Sequence, residues 1–182
     1  MADAPPPNAS AAEIQYKTIR TALGTWKIFT SPGLPSFREY TSHSSIAGWP
    51  FLHAAFGINP ETGASKTALG IIAIGRKAVG FLAIGQFAIG ILTIAQFGIG
   101  FLFLAQGGLG WSGIGQVAIA YHFAIGQFAL AQIAIGQFAI GKYALGQIAA
   151  GKYVWHMKEQ SPEAVRYFTG LWDWAKSLLG WA

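Results

Sequence analysis

One five-residue phrase recurs from Ala68 to Tyr153: a small residue, an aliphatic residue, glycine or alanine, and two further residues. Its purest copies read Ala-Ile-Gly-Gln-Phe and begin at Ala83, Ala124 and Ala134. A period kept this strictly indicates a repeat architecture. In an α-helix five residues advance about 500°, so the aliphatic places would spread around the helix and form no stripe. The repeat therefore favours β-structure, in which each phrase supplies one short strand and one corner.

We predict that four phrases make one square coil of about 20 residues, with side chains 20 residues apart in one column at the strand spacing of about 4.8 Å. Stacked amides can then hydrogen-bond along a ladder, facing either inward or outward. One extra residue at Tyr121 to Phe123 shifts the later positions by one and predicts a bulged corner. Two glutamine ladders on opposite faces follow from this arrangement: Gln86, Gln106, Gln127 and Gln147 in one, and Gln96, Gln116 and Gln137 in the other.

The other segments are predicted to surround this repeat. Ser161 as N-cap and Pro162 at the first helical position predict the start of a final amphipathic helix, which either lies at a lipid surface or covers the last coil. The predicted fold is thus an all-β pentapeptide-repeat β-solenoid with an N-terminal capping β-hairpin and a C-terminal amphipathic α-helix. Its parts are a disordered Pro/Ala-rich tail (1–12), a segment of mixed pattern with a loop (13–37), the capping hairpin (38–67), the solenoid (68–153), and a linker with the helix (154–182).

The composition is typical of a membrane-associated protein. Hydrophobic residues make up 53% of the chain and charged residues 10%, whereas about a quarter of an ordinary soluble protein is charged. The net charge of +5 suits anionic lipid, and no basic cluster with interleaved aromatic residues marks a groove for nucleic acid. The absence of cysteine excludes disulfides and thiolate metal sites. The N-terminus lacks the basic and apolar regions of a cleaved signal peptide, so we expect none.

The hairpin before the repeat, the start of the repeat and the segment after it carry distinctive sequences at Ile46 to His53, Gly57, Asn59 to Gly63, Gly70 to Gly75, Gly151 to Val154 and Ser161 to Phe168. These sequences resemble a bacterial family of largely uncharacterised membrane-associated proteins. That family shares the pattern G-x-P-x-x-H, P-x-T-G and G-I-I-A-I-G, followed by long Ala-Ile-Gly repeats. The likeness covers residues 40 to 168 and implies a β-solenoid at a bacterial membrane, without an activity.

A looser likeness connects the repeat to pentapeptide-repeat proteins of the square, right-handed kind. The Asp or Asn that those proteins place before a central Leu is missing here. Their role as mimics of DNA is therefore not implied.

Catalysis needs titratable groups that converge. Between Lys77 and Lys142 the only titratable side chains are those of Tyr121 and His122. We therefore expect no enzyme, no cofactor and no metal site. His53 is expected to make a structural hydrogen bond. An enzymatic role would require His53 or His122 to meet an acidic residue from another segment.

The sequence predicts a membrane-associated scaffold or accessory subunit at the bacterial inner membrane, in contact with lipid, with membrane-protein partners, or with further copies of itself in a larger assembly. The alternative is a polytopic α-helical membrane protein, a transporter or complex subunit with glycine-mediated helix packing, because Ala78 to Gly141 carries no charge and is long enough for about three spans. The predicted membrane or partner surface comprises Phe81, Leu82, Ile91, Leu92, Phe101, Leu102 and Trp111 in the repeat, and Trp172, Trp174 and Trp181 in the helix.

Overall fold

The computed structural model describes residues 14–31 and 35–181, and the predicted tail 1–12 lies outside them. Most of the described residues are in β-strands, which confirms the all-β class, and one helix lies near the C-terminus. The elements are β1 (Lys17–Arg20), β2 (Gly24–Phe29), β3 (Phe37–Ser42), β4 (Ser45–Ile46), β5 (Trp49–Pro50), β6 (Leu52–Gly57), β7 (Thr67–Leu130), β8 (Ile133–Trp155) and α1 (Pro162–Leu179).

The described residues before β7, 14–31 and 35–66, form a part that we call the head. Its strands β1, β2, β3 and β6 pair antiparallel in that order, and β6 then pairs in parallel with β7, with Leu52 opposite Ile72. The mixed pattern of residues 13–37 thus contains the β1–β2 hairpin. Because β6 occupies the first edge of β7 and β3 occupies the outer edge of β6, the head covers the start of the repeat.

Strand β3 ends at Ser42, and a second small hairpin begins at Ser45. Strands β4 and β5 are joined by Ala47 and Gly48, whose φ angles of 51° and 82° are both positive. A two-residue hairpin loop of this type needs positive φ at both positions, which glycine adopts without strain and alanine does not. The loop of this small hairpin therefore consists of these two residues.

The repeat segment, residues 67–155 with β7 and β8, repeats its backbone contacts every ten residues. β7 and β8 pair in parallel, with Ala124 opposite Ala134. Within β7, a Cβ atom added to Gly80 would overlap the carbonyl oxygen of Gly70, and one added to Gly90 would overlap that of Gly80. The predicted square coil of about 20 residues is therefore wrong, because two phrases rather than four return the chain to the same column.

Side chains ten residues apart also stack on one another. The rings of Phe87 and Phe97 lie 5.7 Å apart at 17°, and those of Tyr143 and Tyr153 lie 5.0 Å apart at 28°. Among the contacts of the described glycines, the sequence distance between neighbouring turns becomes eleven residues at one place only, where a Cβ on Gly126 would overlap the carbonyl oxygen of Gly115. This confirms the predicted slip of one residue.

Helix α1 begins at Pro162 and ends at Leu179, and it is followed by Gly180 in the left-handed conformation common after a helix. Ser161 is the N-cap as predicted, but its hydroxyl makes no cap bond and donates instead to the carbonyl oxygen of Val154 at 3.1 Å. The first half of the helix packs on the repeat segment through Ala164 and Phe168. The second half exposes its apolar side chains.

Candidate functional site

The interior of the repeat segment is built from methyl groups. The first place of the phrase, which is almost always alanine, points inward, whereas the aliphatic second place points outward, as at Ile89 and Ile99, about half exposed. A buried methyl contributes about 0.8 kcal/mol, much less than a buried leucine or isoleucine. The inward alanines that are at most 2% exposed are Ala68, Ala73, Ala78, Ala83, Ala88, Ala118, Ala124, Ala129, Ala134, Ala139 and Ala144.

Two larger side chains interrupt this row, and glycines make room for them. Phe103 is 4% exposed, and a Cβ on Gly108 or Gly113 would overlap its ring. Thr93 is also buried; a Cβ on Gly98 would come within 2.7 Å of its methyl group, and its hydroxyl donates to the carbonyl oxygen of Ile99. The interior thus keeps a nearly constant volume, as close packing requires.

The outward side chains form a large apolar surface. Phe81, Ile91, Phe101, Leu102 and Trp111 are between 43% and 53% exposed, as the prediction of an apolar outer surface requires. Monomeric soluble proteins rarely expose contiguous apolar patches of this extent. Whether the surface contacts lipid or protein stays a prediction.

Two apolar grooves lie in this surface, at the turns around Phe103. The first has a volume of about 420 Å³ and brings together Leu82, Leu92 and Leu102, three of the predicted surface residues. It forms where Ser112 follows these leucines in the same column, leaving a gap beside them. The second has a volume of about 650 Å³ and forms where Gly107 stands in the column of Phe87 and Phe97.

The seven glutamines form one column rather than two. Gln127 and Gln137 lie between the paired positions Gly126–Gly136 and Phe128–Phe138, so they follow each other on neighbouring strands. The prediction of two opposite ladders is wrong because it assumed a 20-residue coil. All seven side chains are exposed, and within the described residues no hydrogen bond joins two of them. We call this set, Gln86, Gln96, Gln106, Gln116, Gln127, Gln137 and Gln147, the Gln column.

A second outer column changes from aromatic to basic along the chain. Trp111 stacks between Phe101 at 5.6 Å and Tyr121 at 4.8 Å. His122, beside the slip, is exposed and its ring lies parallel to that of Trp111 at 6.2 Å. Further along, the same column carries lysines at the end of the repeat segment. We call Phe101, Trp111 and Tyr121, followed by Gln132, Lys142 and Lys152, the aromatic–basic column.

The end of the repeat segment joins basic and aromatic side chains with α1. The Lys142 and Lys152 ammonium groups lie 5.7 Å and 5.2 Å from the ring centres of Tyr143 and Tyr153, within the range of cation–π attraction. Tyr143 also stacks on Tyr167 of α1 at 4.4 Å, and burial, followed by the influence of Tyr143, raises the pKa of the Tyr167 hydroxyl.

The predicted tryptophans Trp172, Trp174 and Trp181 lie beyond this contact. Each is at least 60% exposed. They lie in α1 and just after its C-terminal cap, whereas the other predicted surface residues lie in β7.

A buried ionic cluster in the head was missed by the sequence reasoning. Glu39 accepts a hydrogen bond from His53 Nε2 at 3.0 Å and contacts the Lys66 ammonium at 2.5 Å. The His53 bond, with the help of Lys66, lowers the pKa of Glu39 to about 2 against the opposing effect of burial. Glutamate at an inward place of β3 was the available signal, since a buried carboxylate needs partners.

His53 meets an acidic residue from another segment, which was the condition for an enzymatic role. However, its Nδ1 accepts the backbone N–H of Leu69 at 2.8 Å while its Nε2 faces Glu39. Both ring nitrogens are therefore occupied, and the residue is 7% exposed. This geometry ties β3 and β6 to the start of β7 and leaves no ring nitrogen for a substrate.

The chain matches no protein-family model, no curated protein and no solved structure. Among residues 14–31 and 35–181, no group of three or more His, Cys, Asp or Glu side chains could hold a metal ion. Within the same ranges, no helix is both long enough and apolar enough to cross a membrane.

Proposed function

We propose that residues 67–155 form a β-solenoid with ten residues per turn, and that the protein is a non-catalytic, membrane-associated scaffold or accessory subunit. The ten-residue offset between Ala124 and Ala134 supports the solenoid, as do the glycine contacts within β7. In such a fold each short strand pairs with its neighbours one turn away.

One observation carries the membrane assignment: small side chains lie inside and large apolar side chains lie outside. Ala134 is fully buried while Ile99 is 51% exposed, the reverse of a protein built for water. Covering the outer isoleucines, leucines and phenylalanines would contribute about 25 cal/mol per Å² of apolar surface removed from water. The methyl interior cannot supply this stabilisation, so lipid or protein must cover the surface.

The resemblance of the hairpin and the repeat to bacterial membrane-associated proteins supports the same role at an inner membrane. The Gln column is the one polar stripe on the repeat segment between Lys77 and Lys142, and a further copy of the chain or another subunit could contact it. A homo-oligomer or a larger assembly is part of the proposal for this reason.

The occupied nitrogens of His53 support the non-catalytic part of the proposal. The helical alternative required spans within Ala78 to Gly141, where the structure has strands β7 and β8.

Membrane fractionation of bacteria that express the protein tests this function. We expect the protein in the membrane pellet, resistant to high salt and to alkaline carbonate, because apolar burial is not screened by salt. A variant that ends at Gln160 should stay in the pellet, since α1 is a second contact and not the main one. A full-length protein that is soluble as a large, homogeneous assembly would contradict the membrane assignment and identify the apolar faces as protein interfaces.

A further inference from the structure

We propose that the repeat segment spans the hydrocarbon layer of a lipid bilayer, with its stacking axis along the membrane normal and the head and α1 on opposite sides. This inference rests on the proposed function and adds an orientation to it. Length, charge placement, the chemistry of the Gln column and the positions of the tryptophans support it.

The length of the uncharged stretch matches a bilayer. Between Lys77 and Lys142 the sequence contains no Lys, Arg, Asp or Glu. This stretch makes about six turns of ten residues, which at a strand spacing of about 4.8 Å corresponds to roughly 30 Å along the stack. The hydrocarbon core of a bilayer is also about 30 Å thick.

Charged side chains occur in the outer columns, but at their ends. Arg76 occupies the place before Gln86 in the Gln column, and Lys142 and Lys152 close the aromatic–basic column. Basic groups at both ends of an apolar stack would meet the headgroup layers, and anionic headgroups attract them by about 1 kcal/mol each. This charge complementarity favours lipid over a second copy of the chain, whose own basic ends would repel them in a parallel arrangement.

The composition of the Gln column favours a repeat segment that crosses the membrane over one that lies flat on its surface. An outer column that faced water would accept Lys, Glu or Asp as readily as Gln. Yet the column stays uncharged from Gln86 to Gln147. Burying a neutral amide in an apolar layer costs far less free energy than burying a charged group, so an uncharged column is what a lipid-facing position permits.

Tryptophans lie mostly at the two ends of the molecule. Trp49, 43% exposed, belongs to the head, and Trp172, Trp174 and Trp181 belong to α1 and the residue that follows its cap. Tryptophan is enriched at the headgroup level of both membrane faces. Trp111 is the exception and lies in the middle of the stack, within the aromatic–basic column.

The backbone of the repeat segment forms the internal hydrogen bonds that a lipid surrounding requires. Peptide groups in the hydrocarbon layer need internal partners, since no water is present. Pairing every ten residues supplies them, and β6 pairs with the first turn at Leu52 and Ile72. The last turn lies beyond Lys142, at the level of the headgroups and water.

Single-cysteine labelling tests the orientation, and the chain is suited to it because it has no native cysteine. The variants are Glu61→Cys in the head, Ile99→Cys and Val117→Cys in the stack, and Lys158→Cys after it, all at exposed positions. Each is probed with a membrane-impermeant maleimide, in whole spheroplasts and in inverted vesicles, and again after solubilisation in detergent.

We expect the cysteines at 61 and 158 to react from opposite sides. The cysteines at 99 and 117 should react at least roughly tenfold more slowly than these two, from either side, because the thiolate does not form in hydrocarbon. Reaction at 99 and 117 should become fast after solubilisation, because detergent molecules exchange rapidly and let water reach the thiols. Labelling of 61 and 158 from the same side, in a protein that resists carbonate, would overturn the orientation while leaving the membrane assignment intact.

Two further outcomes also overturn the inference. Fast labelling at 99 and 117 in intact membranes would place the stack in water. Protection at these positions that persists in detergent, in particles whose protein mass exceeds that of one chain, would identify a protein partner or a second copy, rather than lipid, as the cover. A protein absent from the membrane fraction would contradict the proposed function itself.

Discussion

The head and the repeat segment bury opposite kinds of side chain. The head places Phe29 and Phe37 inside, 6% and 2% exposed, and keeps Lys27 and Arg38 at the surface. The repeat segment places alanine inside and isoleucine, leucine and phenylalanine outside. Two parts of one sheet thus follow opposite rules, which indicates two different surroundings. The proposed function explains this difference by an apolar neighbour on the outside of the repeat segment.

The largest expected effect comes from the one aromatic ring inside the repeat segment. Replacing Phe103 with alanine should lower the free energy of unfolding by about 3 to 5 kcal/mol, because the methyl-lined interior cannot close around the cavity. Thermal unfolding followed by circular dichroism, in detergent, measures it.

A second substitution sharpens this test. Gly113→Ala alone should destabilise, because its Cβ would overlap the Phe103 ring. In the Phe103→Ala background the same methyl has room. The double variant should therefore lose roughly 1 to 2 kcal/mol less free energy of unfolding than the two single variants lose together. Additive effects would contradict the volume exchange between these positions.

One substitution made inside and outside the stack compares the two surfaces directly. Ala134→Leu adds three carbons to a fully buried place and should cost about 1 to 3 kcal/mol of stability. Ala150→Leu makes the same change at an exposed place and should stay within about 0.5 kcal/mol. Equal losses at both positions would mean that the assignment of inner and outer places is wrong.

The buried cluster makes the head sensitive to acid. The pKa of Glu39 is about 2 when folded, below the ordinary 4.5, so the ionised carboxylate stabilises the fold above pH 4.5 and this contribution is lost as the pH falls towards 2. The loss should be on the order of 2 kcal/mol. Urea unfolding at pH 5 and pH 3, compared with Glu39→Gln, measures it. A variant that loses as much stability over this range as the natural chain would show that another group is responsible.

The smallest expected effect is a gain in α1. A Cβ on Gly170 would meet nothing within 4 Å, so Gly170→Ala removes only the entropic cost of glycine in a helix. Stability should rise by about 0.5 to 1 kcal/mol, seen as a higher melting temperature. A decrease would mean that this face of the helix is covered by something else.

The strand content and the one-residue slip could be predicted from the five-residue period, but the ten-residue offset could not. Residues 20 apart share a column in either arrangement, so the alignment of Gln86 with Gln106 is compatible with both. The two arrangements differ in where they place Gln96, which lies in the same column with ten residues per turn and on the opposite face with 20. Which arrangement forms depends on how closely the two sides of a turn approach. Alanine at the inward place permits that approach, yet the phrase alone does not say which of its places is inward.

The buried place of Glu39 left a signal in the sequence, but its partners His53 and Lys66 could not be predicted, because they come from separate segments. Its geometry depends on the pairing of β3 with β6, in which Thr41 lies opposite His53. The exchange between Phe103 and its glycines was visible in principle, since Gly108 and Gly113 depart from the alanine of the phrase.

The distance between the two ends of the Gln column tests the ten-residue turn most directly. Spin labels on a Gln86→Cys, Gln147→Cys double variant can be measured by pulsed electron paramagnetic resonance, without removal of any native cysteine. Six turns separate these positions, so we predict a backbone separation of about 29 Å at the usual strand spacing. A separation of about 14 Å, as three coils of 20 residues would give, would contradict the account.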